Sequence, residues 1–221
     1  IGSVFVSGLG LKFTQSVIDL SGGVLFILLC LTAVSAIILG MGMTTTAVYI
    51  TVAALIVPSL IESGIMPIAA HMFAFYFGVV STITPPVALA SFAGAAIAKS
   101  PPMATAVESS KVGIAKYIVP FAFVYNPSLL MEGPIIWSIY SLISVLLAYW
   151  SMTLGLEGWF NGKLNVFKRT LALLSSVALL IPPLQNIYGI DGFYINFLGI
   201  FILVIIYYLQ GKLSFNMKVT T

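Results

Sequence analysis

The chain has 221 residues, of which 60% are apolar and only 7% are charged, with a net charge of +3 and a mean hydropathy of +1.14. A soluble domain carries roughly 25% charged residues to cover a surface that meets water. A soluble enzyme and a disordered chain are therefore excluded, as is a nucleic-acid partner, which would demand a dense basic face. The composition is that of an all-α, polytopic protein embedded in a lipid bilayer. Its single cysteine, Cys30, permits neither an internal disulfide nor a cysteine-based metal site.

Ile1 is followed by Gly2-Ser3-Val4-Phe5 with no charged segment before it, so the start is not read as a signal peptide. The chain is expected to be part of a longer polypeptide. Residues 3–20 contain Lys12, Gln15 and Asp19 and predict an interfacial or connecting helix, so that 1–22 forms an arm. Apolar runs at 23–39 and 46–60 follow, separated by Gly40-Met41-Gly42-Met43-Thr44-Thr45-Thr46. Crossing ~30 Å of hydrocarbon takes about 20 helical residues. Arms of about 17 and 15 residues reach only ~25 and ~22 Å at 1.5 Å per residue. Residues 23–60 are therefore expected to be a re-entrant helical hairpin with its tip near the membrane midplane rather than two crossings.

The next apolar runs, 66–80 and 87–98, are interrupted by Ser81-Thr82-Ile83-Thr84-Pro85-Pro86, and 66–98 is expected to be one discontinuous crossing. Pro101 and Pro102 suit the start of a short surface helix over 103–111. Further spans are predicted at 112–130, 134–154, 170–182 and 193–209; the third begins near Val166, with Lys168 and Arg169 snorkelling to the interface. Loop charges agree with these crossings. Lys99, Lys111 and Lys116, then Lys163, Lys168 and Arg169, then Lys212 and Lys218 alternate with loops holding only Glu62, Glu132 or Asp191. The positive-inside rule places the basic loops in the cytoplasm. Residues 23–132 (hairpin 23–60, broken helix 66–98, helix 112–130) thus read as half of a transport domain. Residues 133–221 read as a C-terminal membrane extension to which no chemistry is assigned.

In lipid, irregular backbone survives only where it is buried in protein or lines a cavity. Pro85 and Pro86 lack N–H groups, so the carbonyls of Ser81 and Thr82 are expected to lose their helical donors. Those oxygens lie beside the hydroxyls of Ser81, Thr82 and Thr84. Such a neutral cluster suits Na⁺ and not Ca²⁺ or a transition metal, which favour carboxylates, His or Cys. At the hairpin tip, Gly40 and Gly42 allow conformations closed to other residues, and Thr44, Thr45 and Thr46 add hydroxyls where the returning helix starts. Helix C-termini aimed at mid-depth favour a cation and N-termini an anion. Discontinuous helices of this kind bind an anionic solute with its coupling ion in secondary transporters. Either break alone is explained equally well by a kink or by close helix packing. Both together, each rich in hydroxyls, favour a site. The candidate set is Gly40, Gly42, Thr44, Thr45, Thr46, Ser81, Thr82, Thr84, Pro85 and Pro86, with Ser81, Thr82, Thr84 and Thr45 as Na⁺ ligands and no other cofactor.

His71, the only histidine, is expected to bond a neighbouring helix as a neutral group. Phe73, Phe75, Tyr76 and Phe77 are expected to pack rather than to cage a substrate. No metalloprotease, serine-hydrolase or nucleotide-binding motif is present, which speaks against an enzyme and against ATP-driven transport within this chain.

Four segments, Leu39–Ile50, Ala70–Phe77, Ser81–Ala90 and Ile118–Pro127, resemble in order and spacing the C-terminal half of the large permease of tripartite ATP-independent periplasmic (TRAP) transporters. The likeness is nearest to the fused-permease branch that works with TAXI-type binding proteins, and 133–221 resembles that branch's extension more weakly. The resemblance implies half of an inverted-repeat, elevator-type importer of organic acids, coupled to Na⁺. It implies a location in a bacterial or archaeal cytoplasmic membrane. Its partners would be a periplasmic TAXI-type solute-binding protein and an N-terminal half carrying the first hairpin. The family usually has Pro where this chain has Thr44, so the turn is expected to be looser. The alternative reading is a channel-like or structural membrane subunit without ion-coupled transport.

Overall fold

Proline and glycine set most of the helix boundaries. The computed structural model describes residues 8–160, 162–187 and 189–219, with side chains at all of these except 9–11, 187 and 211–219. Contacts divide the chain into two compact units, Ile1–Pro127 and Ser128–Thr221. Apart from one minimal β-hairpin, the described elements are helical.

The N-terminal unit holds α1 (Leu9–Ser21), α2 (Leu25–Gly40), α3 (Thr45–Leu55), α4 (Val57–Glu62), α5 (Pro67–Val80), α6 (Leu89–Ala98), α7 (Pro102–Val112) and α8 (Ile114–Tyr125). Proline occupies the first or second position of α4, α5 and α7, where its missing N–H would have no helical acceptor. The arm expected over 3–20 is helical from Leu9, and residues 1–7 lie outside the described residues. Helix α5 is central, packed against α2, α3 and α8. The rings of its Phe73 and Phe77 lie 4.8 Å apart, tilted by 50°, and Phe121 of α8 meets them edge-on at 5.4 and 5.9 Å. Phe73 and Phe77 are buried, with Val48, Val52, Ile56 and Leu60 filling the core around α2 and α3, whereas Tyr76 is half-buried and Phe75 is exposed.

Two predicted runs are shorter helices than their hydropathy suggests. The run 46–60 breaks at Ile56, because Pro58 cannot donate to the carbonyl four residues before it. The run 112–130 is helical only over Ile114–Tyr125, about 18 Å at 1.5 Å per residue. Asn126 precedes Pro127, which pushes it out of the helical region, and Pro127–Leu130 forms a 3₁₀ turn.

The C-terminal unit consists of α9 (Ile135–Glu157), α10 (Val166–Leu180), an antiparallel pair β1 (Asn186–Ile187) and β2 (Ile190–Asp191), and α11 (Gly192–Val219), with α10 packed on both long helices. Its amphipathicity is inverted relative to a soluble bundle. Helix α9 exposes Ile135, Ile139, Leu142, Ile143 and Leu146 and buries Ser138, Ser141, Ser144 and Ser151. Ser144 Oγ donates to the Leu179 carbonyl at 2.8 Å, Ser151 Oγ to Ala172 at 2.8 Å, and Ser175 Oγ to Gly199 at 2.7 Å. Small hydroxylated residues inside and aliphatic residues outside are what lipid selects. Ile135–Glu157 and Gly192–Gln210, at 23 and 19 residues, are long and apolar enough to cross a membrane.

Candidate ion and substrate site

Helix α2 ends at Gly40, Met41–Thr44 turn the chain, and α3 begins at Thr45. Gly42 makes the reversal in the left-handed region, at φ +79°, where a side chain would be strained. Gly40 is required for a different reason, close approach. A Cβ there would run into Ser81 Oγ and lie 2.7 Å from Ser81 Cβ and 3.1 Å from Val48 Cγ1. A Cβ on Gly78 would meet Val48 at 2.8 Å. The tip of 23–60 thus rests directly on the end of α5, and the two irregular segments singled out in the sequence touch at Gly40 and Ser81.

Residues 81–88 are not helical. Successive tight turns carry the chain through Ser81–Thr84, with Thr82 N donating to Val79 O at 3.1 Å and Ile83 N to Val80 O at 3.0 Å. The peptide bond between Pro85 and Pro86 is cis. The carbonyls of Ser81 and Thr82 do lose their helical donors, but they are not left free. Ser81 O accepts from Thr84 N at 3.3 Å and Thr82 O from Ala90 N at 3.0 Å. The proline pair removes its own N–H groups, and the turn brings others within reach. Each carbonyl keeps a second lone pair.

The hydroxyls of this segment point their hydrogens back into α5. Ser81 Oγ donates to Gly78 O at 2.6 Å, Thr82 Oγ1 to Val79 O at 2.8 Å and Thr84 Oγ1 to Val80 O at 2.7 Å. A hydroxyl whose only hydrogen is so engaged presents lone pairs alone to any further partner. For Thr84 that partner is Tyr117 OH of α8, at 2.6 Å, which must then be the donor. Ser110 Oγ of α7 donates to the Ile83 carbonyl at 3.1 Å. Ser81 is buried, Thr82 and Thr84 are half-buried, and Pro86 is exposed.

Thr44, Thr45 and Thr46 are exposed, and among the described residues none of them hydrogen-bonds residues 81–86 through its side chain. They stand at the start of α3, whose first N–H groups point away from the helix and have no helical acceptor. The start of α6 repeats the arrangement and contains a residue the sequence reading did not single out. Ser91 is 5% exposed and its Oγ has no hydrogen-bond partner among the described residues. Nothing local distinguishes it from the other buried serines. Tyr117 and Ser110 were likewise missed, since their roles arise from contacts 33 and 27 residues distant in sequence. His71 Nδ1 lies 3.0 Å from Tyr49 OH, joining α5 to α3 as expected of a histidine bonded to a neighbouring helix. Among the described residues no group of three or more His, Cys, Asp or Glu is placed to hold a metal.

The candidate residues thus present hydroxyl and carbonyl lone pairs at 81–84 and two exposed helix starts, at Thr45 and Leu89. A family model described as "Tripartite ATP-independent periplasmic transporter, DctM component" matches residues 1–138. No curated protein matches the chain, and no solved structure does.

Proposed function

We infer the function from one premise: this chain belongs to the DctM component family of tripartite ATP-independent periplasmic transporters. That family consists of transporter permeases of the inner membrane and not of enzymes, and its members work with a periplasmic solute-binding protein. On this basis the chain is a permease component of a secondary transporter that imports organic acids together with Na⁺. Residues 23–60 act as a re-entrant hairpin and 66–98 as a broken helix, forming one half of an inverted-repeat elevator. The N-terminal half of the same permease supplies the other half-site. The periplasmic partner is of the TAXI type, and the host membrane is the cytoplasmic membrane of a bacterium or archaeon.

The contact of Gly40 with Ser81 carries this reading, because it unites the hairpin tip and the break at one point. Ser81, Thr82 and Thr84 offer lone pairs to a cation, since their hydrogens are held by α5 carbonyls. Thr45 adds its hydroxyl oxygen to the cation's ligands, while the N–H dipoles at the starts of α3 and α6 face a carboxylate. The bound cation then offsets the charge of the acid, so that neither is carried alone through a medium hostile to charge.

The test is uptake by the full-length permease in proteoliposomes with its binding protein. Thr82→Val and Thr45→Val each remove an oxygen that would bond a charged partner, which corresponds to a rise of about tenfold or more in the Na⁺ concentration for half-maximal uptake. Wild-type Na⁺ activation in both variants would overturn the site.

A further inference from the structure

The C-terminal unit, to which the transport chemistry assigns nothing, contains a groove that ends in a basic loop. Helices α9 and α11 both lean on α10 and leave between them a cavity of about 190 Å³, lined by Leu147, Trp150, Ile200, Leu203, Val204 and Tyr207. Phe160 stands beside one end: its ring centroid lies 5.8 Å from Trp150 and 5.6 Å from Tyr207. Phe160 belongs to the link between α9 and α10, which folds back on itself through Phe160 N to Gly162 O at 2.9 Å and Leu164 N to Gly158 O at 2.8 Å. A Cβ on Gly162 would lie 3.3 Å from Gln210 Nε2. Gln210 stands one turn beyond the groove residue Tyr207 on α11, so link and groove share one end.

Cations outnumber carboxylates at that end: Lys163, Lys168 and Arg169 stand with Glu157, the exposed last residue of α9, and among the described residues none of them forms an ion pair with it. Lys168 Nζ donates to Gln210 Oε1 at 2.8 Å, and Gln210 is 3% exposed. Arg169 donates from Nε to Gly155 O at 2.9 Å and from Nη2 to Leu156 O at 2.7 Å. Lys163 is exposed and pairs only through its backbone, with Trp159. Among the described residues the sole ion pair is Lys111–Glu108, in the other unit. The snorkelling expected of Lys168 and Arg169 is thus modified: both are half-buried, Lys168 anchored to Gln210 and Arg169 to carbonyls of the last turn of α9, and neither pairs with a carboxylate among the described residues. Trp159 and Phe167 are exposed beside them, as aromatic residues are at a membrane–water boundary.

We propose that this end of the C-terminal unit is a binding site for one anionic phospholipid. An acyl chain lies in the groove against Trp150 and Tyr207, and the phosphate meets Lys163, Lys168 and Arg169. The apolar groove selects a lipid over a free anion. The unpaired cations select an anionic headgroup over a zwitterionic one, because only a net negative charge completes them.

Trp150 reports its own occupant. In the full-length permease with every other tryptophan replaced by phenylalanine (Trp137→Phe and Trp159→Phe among them), reconstituted in phosphatidylcholine vesicles, Trp150 is titrated with brominated phosphatidylglycerol or brominated phosphatidylcholine. Phosphatidylglycerol is expected to quench at the lower mole fraction, and Lys163→Gln to reduce that preference about fivefold, the weight of one cation near an anionic headgroup. Val204→Phe, which fills the groove, should weaken quenching by both lipids. Native mass spectrometry of the unmodified permease provides a check independent of any substitution, with one phosphatidylglycerol retained where phosphatidylcholine is lost, and inorganic phosphate unable to displace it. Equal quenching by the two lipids, an unchanged preference in Lys163→Gln, or a Trp150 shielded from both by a protein partner would each overturn the proposal.

Discussion

At Gly40 the absent side chain is dictated by Ser81. Both residues are buried, and the space a Cβ would need is taken by Ser81 Cβ and Oγ, with Val48 on the other flank. Ser81 Cβ is fixed to its backbone, Ser81 Oγ is held by the Gly78 carbonyl and Val48 is β-branched and stiff, so the site cannot yield cheaply. Gly40→Ala is expected to lower stability by about 1–3 kcal/mol, the range for overpacking a filled core. If the cause is this one contact, Ser81→Gly in the same chain should return much of the loss, because residues that touch are not additive. Thermal melts of the single and double variants in detergent measure the coupling. Additive effects would mean that Gly40 is required for some other reason, and the joining of the hairpin tip to the break would lose its main support.

At the scale of elements, the segment 81–88 is held from three sides. Ser81 rests against α2, Thr84 bonds Tyr117 of α8, and the Ile83 carbonyl accepts from Ser110 of α7. A segment so tied keeps its oxygens in place without being helical. Tyr117→Phe removes one tie while preserving the ring. The loss of one hydrogen bond corresponds to about a two- to tenfold rise in the Na⁺ concentration for half-maximal uptake. The maximal rate should remain near the wild-type value, since Tyr117 lies behind Thr84. A lowered maximal rate with unchanged Na⁺ dependence would show that Tyr117 serves only the packing of α8. This same segment shows what could be read from sequence and what could not. Hydropathy located the apolar helices, and Pro85-Pro86 with Gly40 and Gly42 located the interruptions, because those residues act on their own backbone. The end of α8 was legible at Tyr125-Asn126-Pro127-Ser128, although the apolar run continues past it, because Pro127 acts on the backbone of Asn126. The partners of Thr84 and Ile83 were not legible, since tertiary pairing over such separations leaves no local pattern. The serine face of α9 is a middle case: the spacing of Ser138, Ser141, Ser144 and Ser151 marks one helical face, while the acceptors Leu179 and Ala172 emerge only once α10 is in position.

For the whole molecule, the question is whether the hydroxyl wall belongs to a carrier or to a pore. On the proposed reading, a wall made only of neutral lone pairs would bind Na⁺ weakly and complete its coordination only when a second half-site and the acid close over it. On the proposed inverted repeat, those groups lie in the N-terminal half of the permease. The 221 residues alone, reconstituted in proteoliposomes, are then expected to show no Na⁺-driven uptake of an organic acid, even with a binding protein present. The full-length permease should require the binding protein, Na⁺ and a membrane gradient together, and collapse of the Na⁺ gradient should stop net uptake. A pore would behave in the opposite way. It would pass solute down its own gradient without the binding protein, at a rate indifferent to Na⁺. Flux measured with and without each component separates the two, and Na⁺-coupled uptake by the 221 residues alone would mean that Ser81, Thr82 and Thr84 form a complete site rather than half of one.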